Sequence, residues 1–219
     1  MTVTFERTIQ VSTHGRYLFD RADGPAPRLR LVGFHGYAER ADIQLQRLRD
    51  VRGDACMDLV SMQGLHRFYR SGGEEIAASW MTREDRELMI ADNTAYVDAV
   101  MQALTREYGP PAAIVHAGFS QGASMAYRAA VLGAPAPAGA IALGGDVPPD
   151  LTPAQLARLP RVLIGRGERD GFYEEEACAR DVQRLREVGV QVTVVTLDAG
   201  HKWTEAFTAA ASAWLQSLA

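Results

Sequence analysis

Residues 112–133 read AAIVHAGFSQGASMAYRAAVLG. An apolar run ends in a glycine, one serine stands between two glycines, and a stretch with the composition of a helix follows. A buried strand that turns at once into a helix is the repeating unit of an α/β sheet. At such a turn Ser120 sits on strained backbone with its hydroxyl above the sheet edge, and Gly118 and Gly122 let the turn approach its neighbours. The Gln121 amide and the start of the helix point positive partial charge at whatever Ser120 meets. A tight turn without chemistry needs the same small residues, so the rest of the chain has to supply a base and its partners.

Working outward, the runs at 28–34, 57–62, 139–145, 161–165 and 191–197 are compact and apolar. Such runs suit parallel strands buried on both faces. Helical periods separate several of them: 83–108 after a Thr82 cap and before Gly109-Pro110, 174–188 ending at Gly189, and a last helix bearing Trp203, Phe207, Ala210 and Trp214. At the start, VTFERTIQV (3–11) alternates like a half-solvated strand, and after STHG the segment RYLFD (16–20) completes an expected antiparallel hairpin. The expectation is a single α/β domain over 1–219: a mostly parallel central sheet flanked by helices, an antiparallel N-terminal hairpin and no large cap domain. In such sheets ligands bind at the carboxyl ends of the strands.

The chain has 219 residues and a net charge of -4 with acids and bases interspersed, which gives no nucleic-acid footprint. The first ten residues lack the apolar core of a secretory signal, and no run approaches the roughly 20 apolar residues of a membrane span. Cys56 and Cys178 have no metal-ligand spacing and read as reduced thiols of a cytoplasmic protein. No metal or cofactor is expected.

A serine hydroxyl needs a base to take its proton as it attacks. Of five histidines, His14 falls in the early turn, His66 in the loop after 57–62, and His116 inside the strand before the serine, as a core histidine. His201 follows the last apolar run in LDAGHKW, the carboxyl-end location such a base requires. Its orienting carboxylate is Asp170 in GERDGFY (167–173), with Asp146 in GGDVPP as competitor and Glu168 and Asp198 behind them. The order Ser, Asp, His is the one expected of strand-to-helix serine nucleophiles in this architecture. FHGY (34–37) offers the Tyr37 amide as a second oxyanion donor beside that of Gln121.

With FHGY, GFSQG (118–122), GERDGFY and AGHKW (199–203) in this order, the sequence resembles the α/β-hydrolase superfamily. Within it the chain is similar to the small phospholipase/carboxylesterase group that includes acyl-protein thioesterases. The likeness runs from about residue 28 onward. It implies Ser120 as nucleophile, Asp170 as orienting acid, His201 as base, and the Tyr37 and Gln121 amides as the oxyanion hole. Three stretches depart from the family habit: Tyr37-Ala38-Glu39 replaces a glycine and then an acid, GFYEEE lacks a valine-proline, and Asp146 occupies a position usually uncharged.

The segment 66–85 is a long loop with a double glycine and is the one lid candidate. Trp80 and Met81 within it, and Phe172 beside Asp170, are candidates to wall a substrate pocket, Trp80 with support from the resemblance. The resulting expectation is a serine hydrolase of small carboxylic esters or thioesters that works through an acyl-enzyme, with room left for a homodimer. The alternatives are acyl transfer, amide or peptide cleavage by the same triad, or a hydrolase-fold binding module without turnover.

Overall fold

The computed structural model describes residues 3–24 and 28–218. Seven strands form one sheet in the order β1-β3-β2-β6-β7-β8-β9. They are β1 (Arg16–Asp20), β2 (Leu29–Phe34), β3 (Met57–Gln63), β6 (Ala113–Phe119), β7 (Gly139–Leu143), β8 (Arg161–Gly167) and β9 (Gln191–Leu197). All neighbours run parallel except β1, which pairs antiparallel with β3, Arg16 opposite Gln63. The central strands are apolar on both faces because both are covered. β9 is an edge strand: of its side chains only Leu197 is buried.

On one face, α1 (Ala41–Arg52) and α6 (Glu205–Gln216) pack Leu45, Leu48, Phe207 and Trp214 against Leu31, Leu59, Val115, Ile141 and Leu163. On the other lie α2 (Arg86–Tyr108), α3 (Gln121–Leu132), the short α4 (Pro153–Leu156) and α5 (Glu175–Glu187). The periodic segments thus become helices within a few residues of the expected bounds. Thr82 does not cap α2, whose N-cap is Asp85; the Thr82 hydroxyl donates to the Glu84 carbonyl.

Three elements differ from the sequence reading. Residues 3–15 carry no strand, so the antiparallel N-terminal pair is β1 with β3 rather than a hairpin of β1 with 3–11. A helix not anticipated, α1, follows β2 directly. The segment 66–85 is no open loop: it folds as a second two-stranded sheet, β4 (His66–Tyr69) with β5 (Ile76–Ser79). This hairpin lies on the turn after β2 through a bridge between Glu39 and Ala78.

Candidate active site

The turn from β6 to α3 holds Ser120 at φ 54° and ψ −123°, a backbone conformation L-residues seldom take. Its own amide donates to the Leu143 carbonyl at 2.8 Å, and its carbonyl accepts from the Ala123 amide at 2.9 Å. The flanking glycines are required by space. A Cβ on Gly118 would lie 2.1 Å from the Gly122 oxygen, and one on Gly122 would lie 2.2 Å from the Phe34 oxygen. The sharp turn and its approach to β2 therefore exclude any larger residue.

The Ser120 hydroxyl is 2.8 Å from His201 Nε2, and His201 Nδ1 is 2.8 Å from Asp170 Oδ2. His201 comes from the loop after β9 and Asp170 from the loop after β8, so three strand ends converge on one rim. Asp170 is buried, and its second oxygen, Oδ1, accepts from the Phe172 and Tyr173 amides at 2.9 and 3.1 Å. The Tyr173 hydroxyl donates to Asp181, which also accepts from the Val147 amide, so the loops after β7 and β8 are tied together behind the carboxylate. The His201 ring lies between Phe119 and Phe172, with centroids 5.0 and 4.9 Å away.

The other candidates lie elsewhere. Asp146 is exposed, Glu168 is exposed, and Asp198 pairs with Arg169 at the surface. His14 is exposed and His66 begins β4. His116 is buried against Phe34 with no partner for Nδ1, and burial pulls its pKa down to about 3, which keeps it neutral. Among the described residues no group of His, Cys, Asp or Glu side chains is placed to hold a metal ion.

The turn after β2 brings the Tyr37 amide to this rim, where it has no acceptor among the described residues. Around it a set of hydrogen bonds holds the turn. The Gly36 amide donates to Glu39 at 2.8 Å, and Arg47 grips the two Glu39 oxygens at 2.7 Å each. Burial raises the Glu39 pKa, but the Arg47 hydrogen bond and charge outweigh it, so this carboxylate titrates below the usual range. His35 is buried; Nδ1 donates to the Gly36 carbonyl at 2.7 Å and Nε2 accepts from the Gly64 amide at 3.0 Å. Its desolvation lowers its pKa and favours this neutral tautomer.

The hairpin side completes the brace. The Ala38 and Ala78 amides exchange hydrogen bonds with Ala78 and Glu39 carbonyls, and Arg70 donates twice to the Ala38 carbonyl, at 3.2 and 2.5 Å. Ala38 itself has φ 59°, so this turn, like the serine's, is held in a costly conformation by its surroundings. The Gln121 side chain spans from the Ser120 turn to the end of the hairpin. Its oxygen accepts from the Trp80 amide and the Ser79 hydroxyl, and its NH₂ donates to the Met81 carbonyl.

Trp80 is a correction to the expected pocket. It is fully buried, its indole donates to the His35 carbonyl at 2.8 Å, and its ring packs on Phe34, so no face is left for a substrate. Met81 turns its sulfur toward the buried Arg128. Phe172 is 84% exposed over His201, and across the rim the exposed Tyr37 stacks on Phe68 at 5.7 Å. Aromatic surface thus lies over His201 and on the turn after β2. A cavity of about 450 Å³ lies away from it, between residues 10–15 and α2.

Compared with family models, residues 75–219 match the one described as Phospholipase/Carboxylesterase. The chain belongs to the phospholipase/carboxylesterase family. Among solved structures, a carboxylesterase from Bacillus cereus superposes with a TM-score of 0.76 at 19% identity over 94% of this chain and 95% of that one. A carboxylesterase from Mesorhizobium loti gives 0.76 at 21% identity over 92% and 94%. Acyl-protein thioesterase 2 from Zea mays gives 0.70 at 18% identity over 94% and 99%. At these identities the likeness is one of fold. Comparison with curated proteins by sequence returns no match.

Proposed function

We propose that the protein is a serine hydrolase of carboxylic esters or thioesters. The observation that carries this reading is the unbroken line from the Ser120 hydroxyl through His201 to Asp170, both links 2.8 Å, at a strained strand-to-helix turn. With Nδ1–H donated to Asp170, Nε2 is free to accept the hydroxyl proton. Ser120 Oγ adds to the substrate carbonyl carbon while that proton passes to Nε2. The oxyanion accepts from the Tyr37 and Gln121 amides. Collapse expels the alcohol or thiol, which takes the proton from Nε2 and leaves an acyl-serine. Water repeats the addition, His201 again taking and returning a proton, and the carboxylic acid departs.

The family's descriptive name and the carboxylesterase folds above favour esters; the thioesterase fold keeps thioesters in the class. The exposed Tyr37 and Phe172, with the half-buried Phe68 against Tyr37, suit a small acyl or aryl group lying across the serine rather than threading a buried tunnel. A fluorophosphonate reagent should add its mass at Ser120, and Ser120→Ala should hydrolyse nitrophenyl butyrate at no more than about 10⁻³ of the wild-type kcat. A Ser120→Ala protein of undiminished activity would remove the reading.

A further inference from the structure

A second concavity, about 280 Å³, lies between β1, the N-terminus of α1 and the β4–β5 hairpin. We infer that it is a binding site for a small anion, a carboxylate or a phosphate group. The inference is independent of the esterase reading.

Its polar lining is almost wholly donor. Arg16 and Gln63 are cross-strand partners on β1 and β3, so their side chains leave the sheet on the same face. Gln63 is buried; its oxygen accepts from the Ala41 amide at 2.9 Å, which leaves its buried NH₂ with no acceptor. A buried donor in that state destabilises the fold until an acceptor reaches it. Arg40 is the N-cap of α1 and its own side chain caps nothing, so beyond the Ala41 amide held by Gln63 the positive end of a 12-residue helix borders this space.

Two of the arginines have no carboxylate partner among the described residues. Arg40 and Asp42 pair with each other through two hydrogen bonds, at 2.9 and 3.1 Å, which consumes the one carboxylate in the lining. Arg67, from the hairpin, reaches only the His14 carbonyl, at 3.3 Å. Arg16 has no ion-pair partner among the described residues. Two guanidinium groups, the residue with the orphaned amide and the start of α1 therefore border a space large enough for on the order of nine waters. What satisfies all of them is a compact, negatively charged group that only accepts hydrogen bonds. Leu18 and Ile76 give the same space an apolar side, which would take a short carbon body attached to that group.

The test uses the full chain and two probes, inorganic phosphate and succinate, each against sodium chloride of equal ionic strength. At about ten times Kd, either probe should raise the wild-type Tm by about 3 °C. Which probe binds tells phosphate from carboxylate. The doubly substituted Arg16→Ala, Arg67→Ala protein alters two exposed side chains, so it should fold, hydrolyse a neutral nitrophenyl ester like the wild type, and lose the shift. Ser120→Ala should keep the shift even though turnover is gone, which separates failure of this site from failure of the esterase reading. No wild-type shift with either probe, or an equal shift in the double variant, overturns the inference.

Discussion

Asp170 divides its two oxygens between tasks: Oδ1 is fixed by the Phe172 and Tyr173 amides, and Oδ2 is left for the His201 ring. The amide pair forces a choice on Asp170→Asn. Its oxygen must stay on the two N–H groups, which puts the NH₂ against Nδ1 and imposes the wrong tautomer on His201. With Nε2 then protonated, it cannot accept from Ser120. We expect kcat for a nitrophenyl ester to fall by about 10⁴ with KM little changed and thermal stability nearly preserved, checked by steady-state kinetics and a melting curve. A fall of less than tenfold would show that Asp170 does not orient the base. The sequence already favours Asp170 over Asp146, because a short side chain followed by Gly171 suits a fixed loop position, just as the order of apolar runs puts Ser120 and His201 at strand ends. The Phe172 and Tyr173 amides on its second oxygen are not legible there, since side-chain direction is set only in the folded loops. Trp80 was misread for a related reason. A tryptophan in a polar segment can face a ligand or anchor the segment, and here the indole N–H finds the His35 carbonyl inside the protein.

At the scale of elements, the β4–β5 hairpin is a brace for the turn that carries the Tyr37 amide. The double glycine in 66–85 suggested a loop free to move; four-residue strands give too short an alternation to be seen in a sequence. α1 was missed although Leu45, Leu48 and Val51 keep a helical spacing, because its polar residues dominate that stretch. The N-terminal alternation failed in the opposite sense: a period of two describes a strand only if a neighbour supplies hydrogen bonds, and residues 3–11 have none. The brace makes two side chains matter beyond the reacting atoms. Arg70 is exposed, so Arg70→Ala should fold normally while freeing the Ala38 carbonyl and the strained turn beside Tyr37. Gln121→Ala keeps the backbone amide at the serine but releases Ser79, Trp80 and Met81. Each should lower kcat by on the order of tenfold, short of the 10²–10³ for outright loss of an oxyanion donor. In each, Ser120 should still react with a fluorophosphonate, since the serine and its base are untouched. Unchanged kcat in both variants would reduce the hairpin to a surface ornament of the fold.

For the whole molecule, the groups with displaced pKa values set how it tolerates acid. Burial depresses both His35 and His116, the latter to about 3, so each takes up its proton less readily when folded than when unfolded, where a histidine charges below about 6.5. The unfolded chain then binds more protons than the native one, and stability falls as pH falls. Each histidine contributes a slope of up to about 1.4 kcal/mol per pH unit below about pH 6 until its folded pKa is reached. The depressed carboxyls of Asp20, Glu39 and Asp150 add losses of the same sign only below about pH 4, near the ordinary carboxylate range. Asp181 and Asp98 are raised by burial and work against the trend, gaining stability as they protonate. Between pH 6.5 and 5 the histidines should therefore dominate. His116→Leu keeps an apolar body of similar size beside Phe34, removes the buried Nδ1 that lacks a partner, and leaves His35 to titrate alone. Urea midpoints at pH 7.5, 6.0 and 5.0 should drop for the wild type, and drop less far for His116→Leu. Parallel midpoint curves for the two proteins would mean that His116 is as easily protonated in the sheet as in water.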